Sequence, residues 1–236
     1  MHKPCNAHWQ NRRLSRLGVT FRRLGLENNM SITLGVTLAS YLLGSLSFAV
    51  IVSRLMGLSD PRSYGSQNPG ATNVLRSGNK KAAVLTLVFD AAKGWLPVFA
   101  VQQWGAEYQL AAGTAALAGL AAFVGHLFPV FFRFQGGKGV ATAAGVLLGV
   151  NALLGLSVGL TWLIIAWFFR YSSLAALAAA AFAPAYYAFG GDVAWPYAEP
   201  LLGALIVMSL LLVWRHIDNI NRLVAGTESK LGAKKK

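Results

Sequence analysis

The chain is 236 residues long, 55% hydrophobic and only 12% charged, with positive mean hydropathy. Soluble domains carry about 25% charged residues, so this composition excludes an ordinary water-soluble fold and predicts an all-α, polytopic helical membrane bundle. A lone cysteine, Cys5, excludes a disulfide framework and a cysteine-rich metal site; the formal charge of +13, gathered partly at the two ends, suits membrane topology or anionic lipid better than nucleic acid.

Residues 1–29 carry Lys3, Arg12, Arg13, Arg16, Arg22 and Arg23 without a long apolar core, so they do not read as a signal peptide. They read as a basic extension, a surface helix or an upstream addition with Met30 as the working start; the second is favoured. Residues 30–228 read as the membrane domain and 229–236 as a basic tail.

The first apolar stretch, 32–53, leads into a polar, glycine-rich loop from Tyr64 to Ser77. Gly65, Gly70 and Gly78 permit close backbone approach. Ser66, Asn68, Thr72 and Asn73 offer neutral hydrogen bonds, and Arg76 offers a planar fork matched to phosphate oxygens. An Asn-Pro-Gly turn and a helix cap at Thr72 explain part of this segment but not its length. The next stretch, 82–103, contains Asp90 and Lys93 one helical turn apart. Charges at that depth are costly and usually paired, which predicts an ion pair orienting helices.

The third stretch, 109–131, holds His126, for which a helix–helix hydrogen bond and a substrate role are equally open. It precedes the Gly136–Val140 segment, where Gly136, Gly137 and Gly139 free backbone N–H groups at a helix start and Lys138 adds a point charge. This is not a nucleotide-binding P-loop, because Phe132 and Gly139 stand where that pattern needs Gly and Ser/Thr. The thirty residues 140–169 follow, with Gly145/Gly149 and Gly155/Gly159 making two small-residue faces. The link Arg170–Leu174 contributes Ser173. After stretches 174–190 and 197–214, the segment Arg215–Ser229 carries His216 and Asn219 on one helical face, then Asn221, Arg222 and Glu228.

Connections near 104–108 and 191–200 lack Lys and Arg, whereas the others hold Arg54, Arg62, Arg76, Lys80, Lys81, Arg133, Lys138, Arg170 and Arg215. Positive connections mark the cytoplasmic side. For Lys138, Arg170 and Arg215 to share it, the chain must cross twice between 140 and 169. That predicts seven passes, the middle pair short and broken near Asn151, with the amino terminus outside and all three polar segments facing the cytoplasm. Neither a metal motif, a GxSxG elbow nor a His-x4-Asp dyad occurs, so no metal or cofactor is expected.

Three motifs then carry a resemblance. Gly65–Arg76 is similar to GSGNxGATNxxR with Gln67 replacing the middle glycine, His126–Thr142 to HxFPVFxxFxGGKGVAT, and His216–Glu228 to HxxNIxRLxxGxE. Together they resemble the bacterial membrane glycerol-3-phosphate acyltransferases that use acyl-phosphate, the PlsY family, from about Met30 to the carboxy terminus. The resemblance implies seven spans in the bacterial inner membrane and transfer of an acyl chain from acyl-phosphate to the 1-hydroxyl of glycerol-3-phosphate. It implies lysophosphatidic acid and phosphate as products, and a soluble enzyme that supplies the acyl-phosphate. By motif position, Ser66, Arg76, Lys138 and Ser173 are implied phosphate ligands, His216 and Asn219 are implied to orient the glycerol-phosphate, and Asn68, Thr72, Gly136, Gly137, Gly139 and Glu228 are expected to complete the substrate and phosphate contacts. An anion transporter would instead need cations at mid-membrane depth and in outer loops. A scaffold using the basic termini would leave the three loops unexplained.

Overall fold

The structure, a computed structural model, describes residues 29–232. Of the basic extension 1–29, all but Asn29 therefore falls outside the described residues, as do the last four residues of the tail. The described chain is helical throughout, with one isolated bridge between Gly191 and Trp195. In order come α1 (Asn29–Gly44), α2 (Phe48–Leu55), α3 (Ala71–Leu75), α4 (Lys80–Trp104), α5 (Ala112–Leu127), α6 (Val140–Val150), α7 (Ala152–Phe169), α8 (Ser172–Phe189), α9 (Glu199–Arg215) and α10 (Ile217–Val224).

Among the described residues, four helices are long and apolar enough to cross a bilayer singly. Two bent pairs, α1 with α2 at 44° and α9 with α10 at 56°, bring the number to six. The break that composition predicts near Asn151 is present. Asn151 is extended, and its Oδ1 accepts from Leu153 N (2.9 Å) and Leu154 N (3.2 Å), capping α7. Gly155 then lies against the Leu148 backbone, so the two helices run back along each other. The expectation of two short middle helices needs correction. Only α6, with 11 residues, is short; α7 keeps 18 because the cap falls early in the stretch. At 1.5 Å per residue α6 is about 16 Å long, roughly half of a hydrocarbon core.

What α6 lacks in length it recovers in packing. A methyl group on Gly145 would run into the Ala91 carbonyl, and Gly149 sits against Trp95 O and Val98, so α6 lies in backbone contact with α4. Gly155 uses the second small-residue face against Leu148, but Gly159 on the same face meets nothing. α1 and α5 cross as closely, Gly44 against the Ala122 carbonyl and Gly125 against that of Tyr41. Without water between them, membrane helices associate through such small-residue contacts. Phe123, Leu127, Leu147, Leu154 and Leu205 fill the centre. Leu156, Leu160, Leu163, Trp167 and Phe168 of α7 face outward, as a lipid-contacting helix requires.

The register of α6 on α4 sets the depth of everything before it. Gln102 Nε2 donates to Val150 O (3.2 Å) at one end, and Gly94 meets the Thr142 carbonyl at the other. The glycine segment preceding α6 is thereby carried down to the level of Asp90 and Lys93. Asp90 is ten residues, about 15 Å along the axis, from Lys80 at the start of α4.

Candidate active site

Asn73 organises the first loop. It is 1% exposed; its Nδ2 donates to Pro61 O (2.7 Å) and Tyr64 O (3.1 Å), and its Oδ1 accepts from Ser66 N (3.0 Å). Those bonds make it a brace, not the free donor that the sequence suggests. Gly65 is left-handed (φ +61°) with Asn73 Oδ1 against it, so a side chain there is excluded both by backbone angle and by space. Gln67, where the motif pattern has glycine, also adopts a left-handed φ of 55°. The turn keeps the glycine conformation without the glycine. Ser66 and Arg76 are exposed, and among the described residues neither the Ser66 hydroxyl nor the Arg76 guanidinium has a partner. Asn68 and Thr72 lie half-buried beside them.

In the second loop, Arg215 donates from Nη2 to Gly136 O (2.9 Å) and from Nε to Gly137 O (3.2 Å). Gly137 N donates to His126 O (3.1 Å), so that N–H is already committed, contrary to the expectation that it faces an anion. Gly139, at φ +86°, begins α6 with its Cα against the Phe123 ring, where no Cβ fits. The first backbone bond of α6 runs from Ala143 N to Gly139 O (2.7 Å), which leaves the first-turn N–H groups at the end that carries Lys138. The Pro69 carbonyl of the first loop lies 3.0 Å from where a Cβ on Gly137 would sit, so the first two loops touch. Between them opens a cleft of about 370 Å³ lined by Arg62, Gln67, Pro69, Gln135, Gly136 and Arg215.

The third segment completes the arrangement. α9 ends at Arg215 and turns at His216 into the amphipathic α10. Lys138 Nζ donates to Asn219 Oδ1, and Asn219 Nδ2 donates to Glu228 Oε1 (2.6 Å). Ser173 Oγ donates to the same Oε1 (2.7 Å), and Arg222 Nε to Oε2 (2.7 Å). Lys138, Asn219, Glu228 and Ser173, distant in sequence, thus form one network with Arg222. Burial, and secondarily the Arg222 charge, lowers the Lys138 ammonium to a pKa of about 8. Burial alone would raise the Glu228 carboxyl, but the bonds from Ser173, Arg222 and Asn219 outweigh it and the net direction is downward. Glu228 is therefore an acceptor with its oxygens occupied, and Ser173 has already given its one hydroxyl proton. Both brace the cationic side of the pocket from behind, and the sequence expectation of direct phosphate contact does not fit their geometry.

His216 is 3% exposed, and its Nδ1 lies 2.8 Å from Leu212 O. A carbonyl only accepts, so Nδ1 carries hydrogen and Nε2 keeps its lone pair. Burial above all lowers this imidazole to a pKa of about 4, against the Leu212 bond that raises it. His216 is thus neutral at pH 7 and a weak base.

Behind the loops lies the buried charge pair. Lys93 Nζ is 2.8 Å from Asp90 Oδ1, and each residue is 2% exposed. Lys93 also donates to Leu46 O (2.6 Å), a carbonyl left open where α1 breaks into α2. His126 Nδ1 stands 3.6 Å from the same Asp90 oxygen, and its ring backs onto Gly137. The expected helix-orienting pair is present, with His126 between it and the glycine loop. Arg62, Arg215 and Arg222 enter the sequence reading only through their charge or position. Nothing in spacing marks Arg215 as the residue that grips the glycine loop, because its partners are two main-chain carbonyls.

Fold and site together define a polytopic helical membrane protein with a cationic, glycine-lined pocket built from three loops at one end of the bundle. Comparison with known proteins agrees. The glycerol-3-phosphate acyltransferase family profile matches residues 34–226. A glycerol-3-phosphate acyltransferase of Albidiferax ferrireducens is 64% identical over 201 residues, covering 85% of this chain and 90% of that one. The crystal structure of PlsY, an integral membrane glycerol 3-phosphate acyltransferase, superposes in its glycerol 3-phosphate form with a TM-score of 0.77 at 40% identity, covering 85% of this chain and 96% of PlsY. Its lysophosphatidic acid form gives 0.74 at 39% identity, with coverages of 85% and 95%. The chain belongs to the glycerol-3-phosphate acyltransferase family.

Proposed function

We propose that this protein transfers a fatty acyl group from acyl-phosphate to the 1-hydroxyl of sn-glycerol-3-phosphate, releasing lysophosphatidic acid and inorganic phosphate. Acylation of glycerol-3-phosphate follows from the family; the choice of donor and the products are the finer reading. One observation carries it: Lys138, at the α6 start, is joined to Asn219, Glu228 and Ser173 while the first loop, with an unpartnered Arg76, abuts the same glycine segment. That assembly offers cations and N–H donors, and the carboxylate within it, Glu228, has both oxygens occupied by Ser173, Asn219 and Arg222.

Such equipment suits a donor that is already activated. The glycerol oxygen attacks the acyl carbon, the carbon–oxygen bond to phosphate breaks, and the hydroxyl proton leaves with a phosphate oxygen. Arg76, Lys138 and the α6 N–H groups neutralise the departing phosphate, with Ser66, Asn68 and Thr72 supplying neutral donors at the first loop. His216 Nε2 accepts from the attacking hydroxyl and aims it; with a pKa of about 4 it is too weak a base to keep the proton. Positioning two substrates this way supplies roughly 7–11 kcal/mol of a barrier. The recessed glycine loop puts the reacting phosphates near headgroup depth, with the acyl tail left in lipid. The positive connections support a cytoplasmic position for this end in a bacterial inner membrane, where a soluble enzyme making acyl-phosphate would have access.

Purified protein given acyl-phosphate and glycerol-3-phosphate is expected to form lysophosphatidic acid, and to form none with acyl-CoA or acyl-carrier protein. Arg76→Ala and Lys138→Ala should each lower kcat/KM by about 10²–10⁴. Turnover with a thioester donor, or wild-type rates in both variants, would overturn the reading.

A further inference from the structure

Glu228 reaches the pocket on a segment that leaves the bundle after α10, and that segment is clasped at two points. Near α10, Thr227 N and Glu228 N both donate to Arg222 O (2.8 and 3.1 Å). Further on, Leu231 N donates to Arg170 O (2.6 Å) and Arg170 Nη2 donates back to Leu231 O (3.0 Å), while the Lys230 ammonium lies 5.8 Å from the Tyr171 ring centre. The second clasp closes the chain onto the α7–α8 turn, beside Ser173. Arg170 belongs to none of the three motifs, and the family match ends at residue 226.

Arg170 also occupies an unfavourable position. It ends α7 at φ +62°, a left-handed angle at which helices ordinarily place glycine. An arginine kept there strains the backbone, and what it provides in return is the bond to Leu231.

We propose that residues 225–232 form a strap, clasped by Arg170, that presses Glu228 onto Ser173, Asn219 and Arg222 and so fixes Lys138 for the substrate phosphate. Arg170 is a positioning residue; it acts on Lys138 through Leu231, Glu228 and Asn219 without touching substrate. Release of the strap withdraws the acceptor of Asn219 Nδ2, and the amide that holds Lys138 is then free to turn. The kinetic part of this inference rests on the acyl-transfer reading above.

Two variants test it: Arg170→Gly, which removes the guanidinium and relieves the left-handed strain, and a chain ended after Lys230, which removes Leu231. Both are expected to raise KM for acyl-phosphate, whose phosphate Lys138 holds, roughly 5–20-fold with kcat changed by less than about threefold, as loss of positioning bonds predicts. Combined, they should be no worse than the truncation alone, because they open the same clasp. Arg170→Gly should melt no lower than wild type. Hydrogen exchange over 217–228 should quicken in both. Wild-type KM and unchanged exchange in either variant would overturn the strap, as would a KM loss matched by a general fall in melting temperature. If the wild-type chain makes no lysophosphatidic acid, the reaction reading fails alone, and the exchange rates still decide the strap.

Discussion

Lys138 concentrates the electrostatics of the site in one titratable group. Its pKa of about 8 means that it is mostly protonated at neutral pH and loses its charge as pH rises through that value. kcat/KM reports the free enzyme, so it should fall about tenfold per pH unit above pH 8. Lys138→Arg should remove that alkaline limb, since a guanidinium stays charged. His216 makes the opposite statement. At about 4 its ring does not titrate between pH 5 and 8, so no histidine limb is expected there once the second ionisation of glycerol-3-phosphate itself is allowed for. A limb belonging to the enzyme near 6.5, abolished by His216→Asn, would show that this imidazole is charged when free and reassign the proton transfer. Gln67 shows how a motif departure is absorbed: the left-handed angle is kept at a modest backbone cost, and Ser66 and Asn68 stay in register.

At the scale of elements, the glycine loop is placed by what lies beneath it. α6 is pinned to α4 by Gly145 and Gly149, and the loop ahead of it is pinned by Arg215 in front and His126 behind. The Asp90–Lys93 pair ties that region to the α1–α2 break through Leu46. Removing one member of a buried pair leaves an uncompensated charge, at a cost of about 3–5 kcal/mol, whereas replacing both by apolar residues is often nearly neutral. Asp90→Asn should therefore lower the melting temperature in detergent clearly more than the double change Asp90→Leu with Lys93→Met. Equal or reversed effects would mean that the pair does not hold the helices. The commitment of Lys93 also bears on the transporter alternative, because the one cation at mid-depth in α4 already has its partners.

The whole molecule puts its chemistry at one end. Turns at one end carry Asp192, Glu199 and the Trp195–Tyr187 contact, while Arg62, Arg76, Lys138, Arg170, Arg215 and Arg222 gather around the loops at the other. This asymmetry supports the orientation proposed above, since cationic loops tend to be retained on the cytoplasmic side. Single cysteines introduced at Ser77 and at Val193 in a Cys5→Ser background should label from opposite sides of sealed vesicles. Labelling from the same side would overturn the proposed crossing pattern, and with it the role given to the short α6. The six longer spans were legible in composition because apolar runs of bilayer length leave few alternatives.

The class of the molecule, the apolar spans, the break at Asn151, the buried pair and the three polar loops were all readable along the chain, because hydropathy, cap chemistry and the cost of a membrane charge are local or composition-level effects. The chain also marked the family, since motif order survives without coordinates. Which donors are free emerged from contacts between distant segments. Asn73, the Gly137 N–H, Ser173 and Glu228 all read as ligands along the chain, yet each is committed to a partner that lies between 7 and 55 residues away. Arg215, Arg222 and Arg170 read only as positive flanks, yet they hold the glycine loop, Glu228 and the strap. Hydrogen-bond capacity is finite, and which groups exhaust it depends on contacts between segments that no local pattern records.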